Sequence, residues 1–264
     1  MRPYWLLAAL FCAVATVASA ADPKDPLARA RLLYNQRQFD PAIAAAEEGR
    51  RVPALADAAD LIAARAYLER FRESAAPDDL TAARERLRRI NPARLGVRER
   101  AEYLIGLGET LFFDEAAGAA AGVFDSVLTG AADLTPDARE RVLDWWASAL
   151  DRDARTRSDL ERPPVYRTVR DRMQSELGAN PSSATASYWF SAAAWGLGDH
   201  QAAWDAAQAG WVRAPLASDR GAALRGDLDR LVLRAIIPDR ARALAQAPAS
   251  LETEWESFKE RWSR

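Results

Sequence analysis

Cysteine and histidine are almost missing from this chain of 264 residues: Cys12 is the only cysteine and His200 the only histidine. Beyond residue 20 that excludes a disulfide framework, a zinc site with several Cys or His ligands, thiol catalysis and Cys-bound clusters. Lysine occurs only at Lys24 and Lys259, so 34 of the 36 basic residues are arginine. They face 38 acidic residues, for a formal charge of −2. No large net field exists to attract nucleic acid or anionic lipid. The alternation of Val, Ile and Thr with polar residues that marks strands is nowhere sustained. Glu-x-x-His, His-Glu-x-x-His, Gly-x-x-x-x-Gly-Lys and Gly-x-Gly-x-x-Gly are all absent. Gly106-Leu107-Gly108 is a fragment of the last and falls within a predicted helix, where it reads as a helix contact.

What the chain has is alanine, 58 residues of it, beside its arginines, and both are strong helix formers. The fold class expected is all-α. Helices are predicted over 27–35, 42–50, 55–71, 80–90, 98–113, 115–128 and 136–150, the second opened by Asp40-Pro41 and the last by Thr135-Pro136 as cap and first-turn proline. Val165, Val169, Met173 and Leu177 mark a further helix, and others follow over 187–197, 201–212, 222–236, 238–246 and 251–262. The polar stretch Asp151 to Pro164, with Pro163-Pro164, is the best place for a boundary. It marks a weak boundary, at 152–164, between an N-terminal part, 21–152, and a C-terminal part, 165–264, of what is expected to be one continuous run of helices.

Trp5 to Val17 is continuously apolar or small, follows Arg2, and leads into Ala18-Ser19-Ala20. This reads as a secretory signal, residues 1–20, cleaved after Ala20, because the run is short of the ~20 residues of a spanning helix. The remaining chain would carry no integral membrane segment. A secreted chain without cysteine has only its packing to hold it together. The periplasm of a bacterium is the compartment this composition suggests.

The predicted helices come in pairs. Leu104, Leu107, Gly108, Leu111, Ala120, Phe124 and Val127 form one pattern; Ser191, Ala194, Gly198, Ala203, Ala207, Gly210 and Pro215 form another. Ala30, Leu33, Phe39, Ala42 and Ala46 form a third, and Leu80, Leu87, Ile90 and Pro92 end a fourth. These patterns, together with the string Gln38-Phe39-Asp40-Pro41-Ala42-Ile43, resemble degenerate tetratricopeptide repeats. Arg37 departs from the small turn residue usual there, and Trp145-Trp146 falls in no standard slot. The resemblance implies a right-handed α-solenoid of antiparallel helix pairs, with a generic multi-helix bundle as the alternative. It further implies a groove lined by the first helix of each pair, which binds a protein or peptide partner of the cell envelope. Glu109, Ser191 and Trp195 are the groove positions it points to.

No constellation asks for catalysis, so the chain is expected to be a non-enzymatic scaffold without cofactor or metal. His200 beside Asp199 lacks a nucleophile elbow and reads as a packing residue. The acid pairs Glu47-Glu48, Asp78-Asp79, Asp114-Glu115 and Asp227 with Asp229 mostly adjoin helix starts, where negative charge is already explained. Trp204 and Trp211, and likewise Trp255 and Trp262, are seven apart, the spacing of one buried helical face. Trp145 and Trp146 are adjacent and cannot point the same way, so one of them is a candidate binding surface. Arg84, Arg86, Arg88 and Arg89, and Arg167, Arg170 and Arg172, have few interleaved acids and read mainly as solvated faces. Arg167 and Arg170 remain candidates for carboxylates on a partner. Two rival functions stay open: an envelope glycan enzyme using paired carboxylates such as Glu109 and Asp114, and a small-ligand protein serving a transporter.

Overall fold

The computed structural model describes residues 25–130, 134–217 and 219–263. The apolar stretch read as a secretory signal lies outside them. Every described element is helical: α1 (Pro26–Asn35), α2 (Phe39–Arg50), α3 (Ala56–Ser74), α4 (Pro77–Arg89), α5 (Val97–Phe113), α6 (Ala117–Thr129), α7 (Pro136–Thr156), α8 (Arg162–Ala179), α9 (Ala184–Gly196), α10 (His200–Arg213), α11 (Ala222–Leu231), α12 (Ile237–Leu244) and α13 (Pro248–Trp262). Short polar residues stop the free N–H groups at several starts. Asp25 accepts from Leu27 N at 3.0 Å, Ser183 Oγ from Ala186 N at 3.0 Å, and Asp199 from Ala202 N at 2.9 Å. Pro26, Pro77, Pro136 and Pro248 occupy first turns, where a missing N–H costs nothing.

Three of the connections are the same turn. Between α1 and α2, α5 and α6, and α9 and α10, three residues follow the helix, and the middle one is left-handed: Arg37 (φ 60°), Glu115 (φ 62°) and Gly198 (φ 76°). Its N–H bonds back to Tyr34, Phe112 and Trp195 in turn, and the next N–H to Leu33, Leu111 and Ala194. Only Gly198 adopts that backbone without a Cβ penalty.

From α1 to α11 each helix packs against the next in sequence, and α12 packs against α13. The odd-numbered helices also touch one another in series, α1 on α3, α3 on α5, α5 on α7, α7 on α9 and α9 on α11; α2, α4, α6 and α8 form no comparable series. One large core runs from Ala101 to Phe258 and includes Phe124, Trp146, Met173, Trp204, Leu228 and Trp255. Smaller clusters hold α1 to α4. The core crosses the stretch expected to be a boundary: Ala154, Val165 and Tyr166 all belong to it, and Pro163-Pro164 sits in the first turn of α8.

Three details differ from the sequence expectation. Helix α2 begins at Phe39, so Asp40 and Pro41 lie inside its first turn instead of capping it. The break expected at Pro238 is absent. Helices α11 and α12 join through a π-helical turn, Val232–Ile236, in which the Ile237 N–H reaches back five residues to the Val232 carbonyl. Widening the helix just before Pro238 accommodates a ring that would collide with a regular preceding turn. Trp255 is fully buried, but Trp262 at the end of α13 is 53 % exposed.

Glycine allows the closest approaches. A Cβ on Gly108 of α5 would lie 2.5 Å from the ring of Phe124 in α6, itself fully buried. Gly108→Ala is therefore expected to lose about 1–3 kcal/mol by overpacking, against the roughly 1 kcal/mol that alanine gains in helix propensity. Gly122→Ala, in α6 with open space around it, is expected to stabilise by about 0.5–1 kcal/mol. Urea unfolding of both variants checks this, and equal effects would contradict it.

Candidate binding face on the odd-numbered helices

The odd-numbered helices carry a set of polar and aromatic side chains that answer one another across helix boundaries. In the N-terminal half this face is closed by its own charges. Arg65 Nη1 donates to Glu102 at 2.8 Å, Arg72 Nη1 to Glu109 Oε1 at 3.0 Å, and the Tyr34 hydroxyl to Glu69 at 3.2 Å. Arg72 also pairs with Glu69, and the Arg65 guanidinium lies 4.5 Å from the Tyr34 ring centroid. Burial pushes the Glu109 carboxyl above the usual range, with the Arg72 charge pulling against it. Burial works against the Arg72 charge as well, but Glu109 and Glu69 more than restore it and hold the guanidinium above its ordinary value. Tyr34 is pushed up to about 12 by burial.

Removing one member of such a pair leaves a buried charge alone. Arg72→Met is expected to cost about 3–5 kcal/mol, whereas Arg72→Met combined with Glu109→Leu should return to within about 1 kcal/mol of the parent. Guanidinium unfolding of the two variants tests this; a double variant no better than the single one would contradict it.

Further along, a cleft of about 440 Å³ opens between α7, α9 and α11. Glu140, Arg141, Asp144 and Trp145 come from α7, Thr185 and Tyr188 from α9, and Leu224 and Asp227 from α11. Glu140 Oε2 accepts the Thr185 N–H at 3.1 Å, and Asp144 Oδ1 accepts Trp189 Nε1–H at 2.8 Å. Asp227 is paired with Arg230 one turn on. Burial raises the Asp144 carboxyl; the Trp189 bond opposes this, while the charges of Asp227 and Glu140 add to it. Burial and the Asp227, Asp151 and Asp144 charges raise Tyr188.

A row of half-buried aromatics joins the two halves, one from each of α1, α3, α5, α7 and α9: Tyr34, Phe71, Phe113, Trp145 and Tyr188. Phe71 meets Phe113 edge to face at 4.8 Å, and Phe113 meets Trp145 at 5.6 Å. A second cleft, about 500 Å³, lies at α2 to α4 beside Arg50, Arg89 and Arg94. Its buried Asp60 is taken by Arg50 at 3.3 Å and Arg86 at 3.0 Å. Among the described residues no three His, Cys, Asp or Glu side chains are grouped to hold a metal ion. No described helix is long and apolar enough to cross a membrane.

The residues singled out from sequence fall in several places. Trp145 is half-buried and lines the cleft, whereas Trp146 is 3 % exposed beneath the Arg172 guanidinium at 4.7 Å, which removes it as a surface residue. Ser191 is fully buried, its hydroxyl donating to the Ala203 carbonyl at 2.8 Å between α9 and α10, so it cannot reach a partner. Trp195 is half-buried and donates to Asp239 at 2.8 Å. Glu109 is shut in with Arg72, while Asp114 is exposed and pairs with Arg84, so the two do not form an acid pair. Arg167 is exposed and bonds only its own helix at the Pro163 carbonyl, and Arg170 pairs with neighbouring Asp171 at 2.9 Å. Asp199 is a helix cap, and His200 keeps Nδ1 buried without a partner.

Asp144, Glu140 and Tyr188 were not legible as site residues, and Asp227 was noted only beside Asp229, which is not in the cleft. The signal that links them is an offset, since Glu140 to Thr185 and Asp144 to Trp189 both span 45 residues. Compared with protein-family models, curated proteins and solved structures, the chain shows no match. Chemistry on the face is therefore the guide.

A carboxyl raised in the folded state binds its proton more tightly there than when unfolded. Its contribution to stability is present below the unfolded value and is lost as pH rises through the folded one. For Asp144 the Trp189 indole N–H is the reporter. Its ¹H–¹⁵N resonance should titrate with a midpoint above the ~3.9 of an ordinary aspartate, and a midpoint at or below that would contradict the assignment.

Proposed function

We propose that this chain is a tetratricopeptide-like α-solenoid, exported to the bacterial periplasm, whose odd-numbered helices bind a protein or peptide partner without catalysis. The series of contacts between odd helices supports the solenoid reading, as do the three identical turns. So does the spacing of side-chain bonds between helices: Tyr34 to Glu69 spans 35 residues, Arg65 to Glu102 and Arg72 to Glu109 span 37, and Arg86 to Glu47 spans 39. A repeat of helix pairs returns equivalent positions at such intervals. The signal stretch at residues 1–20 supports export.

The observation that carries the binding reading is the aromatic row. A half-buried aromatic on each of α1, α3, α5, α7 and α9 offers apolar area at low entropic cost, the composition of interface anchors. Photo-crosslinking tests it. Benzoylphenylalanine placed at Phe71, Phe113 or Tyr188 should capture one and the same polypeptide from native envelope, while the same probe at Arg167 or Gln174 on α8 should not. Capture from α8 alone, or equally from both faces, would contradict the reading. A second reading, a small-ligand site serving a transporter, is favoured only by the size of the 440 Å³ cleft, which suits a small molecule. It predicts saturable binding of a free small molecule and no crosslinked polypeptide.

A further inference from the structure

Several buried or half-buried carboxylates of the chain are met by arginine: Asp79 takes Arg70 at 3.0 Å, Glu109 takes Arg72 at 3.0 Å, and Glu176 takes Arg139 at 2.5 Å. In the cleft between α7, α9 and α11, half-buried Glu140 and the more exposed Asp144 pair with no arginine among the described residues. Glu140 and Asp144 are held by neutral donors, the Thr185 backbone N–H and the Trp189 indole. Each bond uses one oxygen, and among the described residues Glu140 Oε1 and Asp144 Oδ2 have no donor. Asp227 stands across the cleft on α11 with Arg230 as its partner, and Arg141 lies at the exposed rim. Three carboxylates against those two arginines leave the cleft net negative. The positions of Glu140 and Asp144 are fixed by neutral bonds, so their charge is directed but not cancelled.

The walls suit the same kind of group. Trp145 and Tyr188 border the cleft and are half-buried, each presenting an aromatic surface beside the carboxylates. A cation against an aromatic face gains attraction from the ring quadrupole, more so where water is partly excluded. The chain uses this contact repeatedly within itself, with Arg152 at 3.9 Å from the Phe112 centroid, Arg65 at 4.5 Å from Tyr34 and Arg172 at 4.7 Å from Trp146. An uncharged or acidic side chain would find no comparable partner here, and an acidic one would be repelled.

We propose that the α7–α9–α11 cleft receives an arginine or lysine side chain of the polypeptide partner, its cation bonded by Glu140 and Asp144 and packed against Trp145 and Tyr188. This rests on the odd-helix face being the partner-binding face. It adds to that reading the chemistry of the residue recognised and the position at which it is read. Charge complementarity selects the occupant, because the Glu140 and Asp144 carboxylates of the cleft are held by neutral donors and keep their charge.

Calorimetric titration of the purified chain with capped tetra-arginine and with capped tetra-citrulline, which has nearly the same shape without the charge, tests the proposal. Tetra-arginine should bind at least about tenfold more tightly than tetra-citrulline. Asp144→Asn, which can still accept the Trp189 bond, should remove that preference, and Glu254→Gln, an exposed acid on α13, should leave it intact. Equal binding of both peptides, no binding of either, or a preference that survives in Asp144→Asn overturns the assignment. Crosslinks from Phe71 and Phe113, outside the cleft, separate this failure from a deeper one. If they persist while the titration fails, only the basic side chain is wrong; if they vanish too, the partner-binding reading fails with it.

Discussion

Two helices bring their axes together only where the side chains between them are small, and Gly108 beneath the ring of Phe124 makes such an approach between α5 and α6. Gly196 beneath Tyr166 does the same for α9 and α8. Buried alanines extend the principle, with Ala30, Ala42, Ala64, Ala120, Ala147, Ala194, Ala203 and Ala207 all at 1 % exposure or less. A small side chain buries little apolar area, so what it supplies is proximity, and the large neighbour beside it supplies the contact area. Without these approaches α5 and α6, and α8 and α9, would stand farther apart.

The same economy of side chains explains the ionic character of the contacts. With alanine at the crossings, the helix flanks are left to longer residues, and arginine bridges the gap to the next pair. Arg65 to Glu102, Arg72 to Glu109 and Arg172 to Asp125 each join one helix pair to the next. Arginine suits this because its fork can bond a carboxylate while its plane lies on an aromatic ring, as Arg172 does with Asp125 and Trp146. Where this bridging stops, at α7 to α11, the carboxylates turn to neutral donors and the cleft opens.

Sequence reading recovered the helices well, because apolar residues recur at the helical period and short polar caps and first-turn prolines mark the starts. It missed the π-helical turn before Pro238, since proline reads as a stop and only the neighbouring backbone decides whether a helix can widen around it. It took Arg84, Arg86 and Arg172 for solvated groups. A local reading of charge sees partners three or four residues away, whereas Arg86 reaches Asp60 across 26 residues and Arg172 reaches Asp125 across 47. Ser191 was misplaced because a small residue on the first helix of a pair looks alike whether it lines a groove or seats the second helix. Asp144 and Tyr188 carried no periodic mark, since polar positions on an amphipathic helix are free to vary; their pairing became visible only with the helices side by side.

The central claim is that helix pairs follow one another in an open series that keeps a face uncovered, and small-angle X-ray scattering tests it most directly. A compact globule of the roughly 240 residues from Asp25 onward would have a radius of gyration of about 18 Å. The account predicts a value clearly above that, with a pair-distance distribution skewed towards long distances. A radius near 18 Å with a symmetric distribution would contradict it.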